Sequence, residues 1–469
     1  MVGRLTGRTP RIRGSLALMS AGLPQADVVV VGAGATGAAC AAFLAEAGMD
    51  VVCVERRALS EAGARWVNGV PRAAFLRAGV ALPEPPEHRG GPSPFHLVLP
   101  AELSGAGRGP AATILEHDVI HVDMRHLVAR MQARAAAAGV RFWPGVAVRG
   151  WTDGRTDRQA DGHAEQALVT DAGELRARWF VDASGLTGAR LLAQAAVPRA
   201  DLCAAAQAVH ELTDRAAALA FLAQVGARPG EAVGVIGVAG GFSVLNVYVD
   251  HALDTVSILT GSIPALGHPS GKAILERFVR EHAWVGRACF GGSAAIPLRR
   301  PYERLTSARV ALLGDAGCQV FSAHGSGVGA GLLAARALAD TLARGGTLRQ
   351  WEVAWQREHG GLLGAFDALR RFTQTLDGPA MALLFESGLM EPELMKAGLN
   401  QEEPQFSWRS LRSQAPALAR AARASPALTA GMLSAAARSR LVSALYGRYP
   451  QDERRVPAWS RAVDWLLRG

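Results

Sequence analysis

The segment LLGDAGCQVFSAHGSGVGAG, residues 312–331, sets a single aspartate, Asp315, ahead of five glycines. The run ARVALL leads into it as a buried strand, and GSGVGAG opens a stretch of helical period. A parallel strand turns its carboxyl end to a ligand crevice, and a helix start offers unpaired N–H groups to an anion or an electron-rich ring. A second such place lies near the start of the chain, in DVVVVGAGATGAACAAFLAEAGMDVVCVERR from Asp27. There Gly32 allows a tight turn, Gly34 lets a pyrophosphate approach the backbone, and Gly37 lets a helix pack on a strand. Glu55 ends the next strand, where a carboxylate can accept both hydroxyls of a ribose and argues against a 2′-phosphate. Two helix starts facing one crevice imply a ligand with two polar centres.

The elements that must position these residues are legible around them. Apolar β-branched residues before Gly32, helix-period residues Ala39, Phe43, Leu44 and Ala47, the stop at Gly48 and the run Val51–Val54 make a βαβ unit. At 469 residues and 49% apolar content the chain can bury a large core. Cys40, Cys53, Cys203, Cys289 and Cys318 are odd in number and never spaced as CxxC, against both a disulfide framework and a zinc site; no metal is expected, and a reduced, cytoplasmic setting fits. The net charge of +9 rests on arginine, since Lys272 and Lys396 are the only lysines. Residues 409–469 hold eleven arginines against Asp452, Glu453 and Asp464. Such a tail can attract an acidic partner, a carrier protein or an anionic membrane, although a solvated helical face is the commoner meaning of a charge run. No run of eighteen uncharged apolar residues is present, so a transmembrane segment is not expected, and residues 1–26 read as a disordered arm and not a signal peptide.

Four motifs in order, DVVVVGAGATGAACAAFLAEAG…VERR, VDMRHLVARM, VDASGLTGAR and LLGDAGCQVFSAHGSGVGAGLLAARAL, resemble the FAD-dependent oxidoreductase superfamily that contains aromatic hydroxylases, flavin-dependent halogenases and geranylgeranyl reductases. They frame residues 27–345. The resemblance implies that Gly32, Gly34, Gly37 and Glu55 hold the ADP half of FAD, with Arg56 near the adenine. It sets Arg125 beside the phosphates or ribityl chain, Asp182 to Gly185 at a second cofactor-facing turn, and Asp315 on the ribityl hydroxyls. The backbone of Gly325, Gly327, Val328 and Gly329 would meet the pyrimidine edge of the flavin, where a helix start stabilises the charge of the reduced ring.

Departures from the family's motifs narrow the chemistry. No lysine lies between Glu55 and Val119, which argues against halogenation, and GGFSVLNVYVD lacks the Trp and Pro of the prenyl reductases. The expected activity is therefore FAD-dependent monooxygenation of an aromatic or electron-rich substrate through a flavin C4a-hydroperoxide, by analogy with the scaffold's commonest use. The alternative is a reductase of the geranylgeranyl type acting on a prenyl or lipid substrate. Electrons would come from NAD(P)H or from a separate flavin reductase. His324, just before the glycine turn, is the candidate for proton handling; a histidine bonded to loop backbone and filling space is an equal reading.

The implied architecture is α/β: a Rossmann-like FAD-binding domain from 27–60, 119–199 and 291–345, an inserted antiparallel-sheet substrate domain from 61–118 and 200–290, and a C-terminal helical region over 346–469. Runs such as FSVLNVYVD suit a sheet roofing the flavin, and LPEPPEHRGGPSP reads as a loop at the entrance. Trp66, Phe75, Phe95, Phe242 and Tyr248 are candidates for an aromatic pocket, though most such residues are core. The helical region could cap the entrance or dock an aromatic or lipid-like substrate borne on a peptide or carrier protein. Peripheral membrane contact is open, and nucleic acid is not expected as a partner because no basic module is interleaved with aromatics.

Overall fold

Val28, Val29 and Val30 are fully buried, as the central strand of a parallel sheet covered on both faces requires. The computed structural model describes residues 25–100, 111–152, 167–403 and 408–468, so nearly all of the expected N-terminal arm lies outside the described residues. Strand Gln25–Val31 pairs in parallel with Val51–Glu55 and with Gly173–Asp182; Arg141–Pro144 and Val310–Leu312 extend the sheet on either side. Val31 pairs with both Val54 and Asp182, and Asp182 with Leu312, so the strand ends are level. That register brings Gly32, Glu55, Asp182 and Asp315 to one edge of one sheet.

A second sheet of seven strands runs in the order Val285–Pro297, Leu202–Leu212, Thr255–Ser262, Ser243–Val249, Ala232–Ile236, Phe95–Val98 and Ala112–Ile114. It is antiparallel except where Ala232–Ile236 meets Phe95–Val98. Helices Arg215–Gln224 and Gly271–Glu281 cover one face around Val247, Ile258, Phe278 and Trp284. The other face looks toward the first domain. Arg125 lies 3.4 Å over the Phe290 ring, Gly292 sits beside Trp66, and Ile296 and Leu298 approach Gly325. Strand Val285–Pro297 runs through the boundary expected at residue 290, because small residues in GRACFGGSAA give little periodic signal. The expected entrance loop holds a short strand, His88–Gly90, paired with Val119–Asp123, which also pairs with Val67–Pro71. Of the aromatic candidates, Phe75 is fully buried in the main core, while Tyr248 meets His121 edge-on at 4.4 Å between the two sheets.

From Leu348 onward the described chain is helical, and buried charge fastens it to the segments that flank the second sheet. Arg370 donates to Asp201 at 2.8 Å and to Asp367 at 2.7 Å; Asp367 also accepts from the Arg300 backbone at 2.9 Å. Arg300 reaches Ser460 and Asp464 of the last helix, each at 2.8 Å. Burial acts to raise the Asp367 pKa, but Arg370 and Arg371 outweigh it and hold the carboxyl below its ordinary value. A depressed carboxyl contributes stability above the unfolded value of about 3.9, and that stability is lost as pH falls through the folded value. Arg370→Met should therefore cost about 3–5 kcal/mol in denaturant unfolding at neutral pH, because it leaves Asp367 buried and short of its partner. Asp367→Asn should flatten the acid limb of the stability–pH curve.

Candidate functional site

The first turn is built by backbone pressed on backbone. Gly32 has φ +101°, its N–H donates to the Val54 carbonyl at 2.7 Å, and a Cβ on it would stand 2.6 Å from the Ala183 carbonyl oxygen. A Cβ on Gly37 would stand 1.8 Å from the Gly32 oxygen, and one on Gly34 3.3 Å from Gly63 Cα. The buried Glu55 carboxylate accepts from Ala33 N–H at 2.9 Å and Arg57 N–H at 3.0 Å, holding the turn while lone pairs remain for a ligand. Gln132 closes the arrangement by donating to the Ala33 and Leu59 carbonyls at 2.9 and 3.0 Å.

The second turn lies beside the first. A Cβ on Gly314 would come within 3.3 Å of the Thr36 hydroxyl, and one on Gly331 within 2.2 Å. Thr36 thus touches both the Asp315 turn and the helix Val328–Ala343, which places the two helix starts next to one another. Helices Ala35–Glu46 and Val328–Ala343 begin at Gly34 and Gly327 with no side chain capping their N–H groups. Elsewhere Asp123, Asp214, Ser270 and Thr347 supply such caps. The glycine run after Asp315 divides in purpose. Gly325 has φ +74° and Gly327 faces Asp315, whereas Gly329 and Gly331 let the helix pack on Ala74 and Thr36.

Asp315 receives no hydrogen bond to its carboxylate from any described residue, and burial pushes its pKa up to about 6. Partly exposed yet packed about by protein, it is a desolvated acceptor with no donor of its own. His324 is exposed, tilted on Phe321 with ring centroids 4.8 Å apart and facing the Gly398 backbone. The groups packed around the ring act to lower its pKa from the ordinary histidine value, so it is neutral at physiological pH. Arg125 is held by Asp123 at 2.7 Å as well as by Phe290. The Asp182 carboxylate accepts from Ser184 N–H at 3.1 Å and Leu191 N–H at 2.9 Å, so it orders its own turn; Gly185 follows at φ +84°, and Arg56 is exposed past the strand end. Gln132, Thr36, His121 and the helix Pro392–Asn400 are part of the surroundings without any sequence signal, since each acts through contacts distant along the chain. Among the described residues no group of histidine, cysteine and acidic side chains could hold a metal ion.

FAD carries a pyrophosphate, a ribose, a ribityl chain and a ring, and the residues present fit it. Two uncapped helix starts suit the anion and the ring edge, and Glu55 and Asp315 would be the acceptors for the two hydroxylated chains. The hydroxyls favour the ionised Asp315, whose proton is held up to about pH 6 in their absence, so binding should tighten as pH rises. FAD affinity, read from flavin fluorescence quenching, should increase by roughly tenfold between about pH 5 and about pH 7.5. Asp315→Asn should weaken binding at neutral pH and remove the slope; a slope unchanged in that variant contradicts the assignment.

Comparison with known proteins agrees with this geometry. Residues 27–90 match a family model described as FAD dependent oxidoreductase. The digeranylgeranylglycerophospholipid reductase of Sulfolobus acidocaldarius is 23% identical over 237 residues, which is 47% of this chain and only half of the relative's length. A geranylgeranyl bacteriochlorophyll reductase-like protein from Thermoplasma acidophilum shares the fold with a TM-score of 0.66 and 15% identity, covering 88% of this chain and all of that one. PqsL, a probable FAD-dependent monooxygenase from Pseudomonas aeruginosa, matches with a TM-score of 0.54 and 17% identity over 80% of this chain and 99% of its own. No helix among the described residues is long and apolar enough to cross a membrane. The sequence match to an FAD dependent oxidoreductase model thus lies in residues 27–90, around the first βαβ unit, and the likeness to the solved structures, at 15–17% identity, is one of fold across most of the chain.

Proposed function

We propose that this chain is an FAD-dependent oxidoreductase that acts on an apolar substrate held between the second sheet and the flavin. The observation that carries the reading is the unpartnered, desolvated Asp315 beside two uncapped helix starts. The substrate class follows from the sheet. A Cβ on Gly261 would meet Cys203, Val244 and Ala205, and one on Gly325 would meet Ile296 and Leu298, so the surface over the cofactor loop is apolar. Bound there, FAD supplies a carrier for two electrons. The chain's own part is to exclude water with that surface and to orient the substrate. His324, neutral and open to the cleft, is the group suited to accept or relay a proton.

Two reactions suit this site. Reduction of a prenyl double bond is favoured by the sequence match to the digeranylgeranylglycerophospholipid reductase, which extends over 237 residues and not only over the first turn. Oxygen insertion into an aromatic or electron-rich ring, the activity expected from the sequence, is supported by the likeness in fold to PqsL. We place reduction first, because a match in sequence carries more than one in fold. The electron donor is NAD(P)H or a partner flavin reductase.

Anaerobic titration with NADH and NADPH, followed by a prenyl lipid in deuterated water, tests the first reading: a saturated, deuterium-labelled product is expected without oxygen. If product forms only in air and carries label from dioxygen, oxygen insertion replaces it. His324→Ala should keep its FAD and lose roughly 10²-fold in turnover. Full turnover in that variant would limit His324 to packing.

A further inference from the structure

The last helix, Val456–Arg468, is held to the body by one face only. Val456, Trp459, Ser460, Val463 and Leu466 are buried, with Trp459 edge-on to Tyr446 and Tyr449. Its opposite face carries Arg461, Trp465 and Arg468, four and then three residues apart and therefore in one row. Trp465 is 76% exposed, the most of any large apolar residue described. Each acid of this segment already has a partner: Asp464 pairs with Arg300 at 2.8 Å, Glu453 with Arg304 at 2.8 Å, and Asp452 caps the turn at Arg454 N–H. Arg454, Arg455, Arg461 and Arg468 are all exposed and have no acidic partner among the described residues. Unpaired cations and an indole are thus left together on the outer face of the helix, while the nearby acids are engaged by other partners.

We propose that this outer face docks the protein on an anionic lipid bilayer. Tryptophan settles at the headgroup level with its ring half in the apolar layer, and each arginine near an anionic surface adds about 1 kcal/mol. A protein partner would ask for more, since binding hot spots are aromatic anchors seated in well-packed pockets within large complementary patches, and a lone indole on a convex helix offers none. A bilayer accepts it without shape complementarity. The surface is separate from the cofactor site, so the inference stands or falls independently of the reaction proposed above.

Flotation of the full chain with vesicles tests it. The protein should float with vesicles containing phosphatidylglycerol, remain in solution with pure phosphatidylcholine, and detach at high salt. Trp465→Ala should lower partitioning by about tenfold, and the double variant Arg461→Ala/Arg468→Ala by about thirtyfold. Their flavin content and unfolding midpoint should not change, since these side chains touch nothing in the core. Equal behaviour toward both vesicle types, or undiminished partitioning in both variants, would overturn the proposal. So would capture by immobilised polyglutamate that phosphatidylglycerol vesicles fail to compete, which would assign the face to an acidic polypeptide.

Discussion

The carbonyl oxygen of Gly32 occupies the space that any side chain at residue 37 would need, 1.8 Å from its Cβ position. The rest of the site follows from that contact. It seats the helix Ala35–Glu46 directly on the end of the central strand, so the helix start, uncapped by any side chain, opens at the sheet edge. Thr36, in the first turn of that helix, then becomes the surface against which Gly314 and Gly331 close. The second uncapped start, at Gly327, is fixed relative to the first by this threonine and by the packing of the two helices, with Arg336 over the Phe43 ring at 3.9 Å. Two uncapped helix starts consequently lie side by side at the sheet edge.

Energetically the cleft is the reverse of the C-terminal clamp. In the clamp Arg370 pairs with Asp367 and Asp201, and the carboxyl of Asp367 is held low. In the cleft Asp315 is desolvated with no donor of its own, and its carboxyl is pushed up. A folded chain tolerates an unsatisfied acid where a ligand is to satisfy it, and stability lost there is made good elsewhere. The clamp is one such place, and it joins the roof sheet, the helix Gly361–Thr373 and the last helix into one support for the cofactor loop.

What was legible in the sequence was local. The first βαβ unit announces itself because valines buried on both faces, a glycine turn and a closing acid all fall within Asp27–Glu55. Asp315 and its glycines were legible for the same reason, but not their division of labour: Gly329 and Gly331 serve packing against Ala74 and Thr36, neighbours that no spacing rule identifies. Gln132, which ties Ala33 to Leu59, lies 99 residues from one of its partners, and an isolated polar residue in a helix carries no signal of that kind. The strand Val285–Pro297 was harder to bound because alanine, glycine and serine at its centre blunt the alternation that marks a strand. The helix Pro392–Asn400, facing His324 through Gly398, was legible as a helix but not as a neighbour of the cofactor loop.

The visible absorption spectrum of the purified full chain is the most direct measurement of the central claim, that one cleft between the two glycine-led helix starts holds FAD. The account predicts a yellow protein whose flavin bands are shifted from those of free FAD, at about one FAD per chain, with Gly37→Val unable to retain it. A chain that folds, is colourless and takes up no added FAD would contradict it.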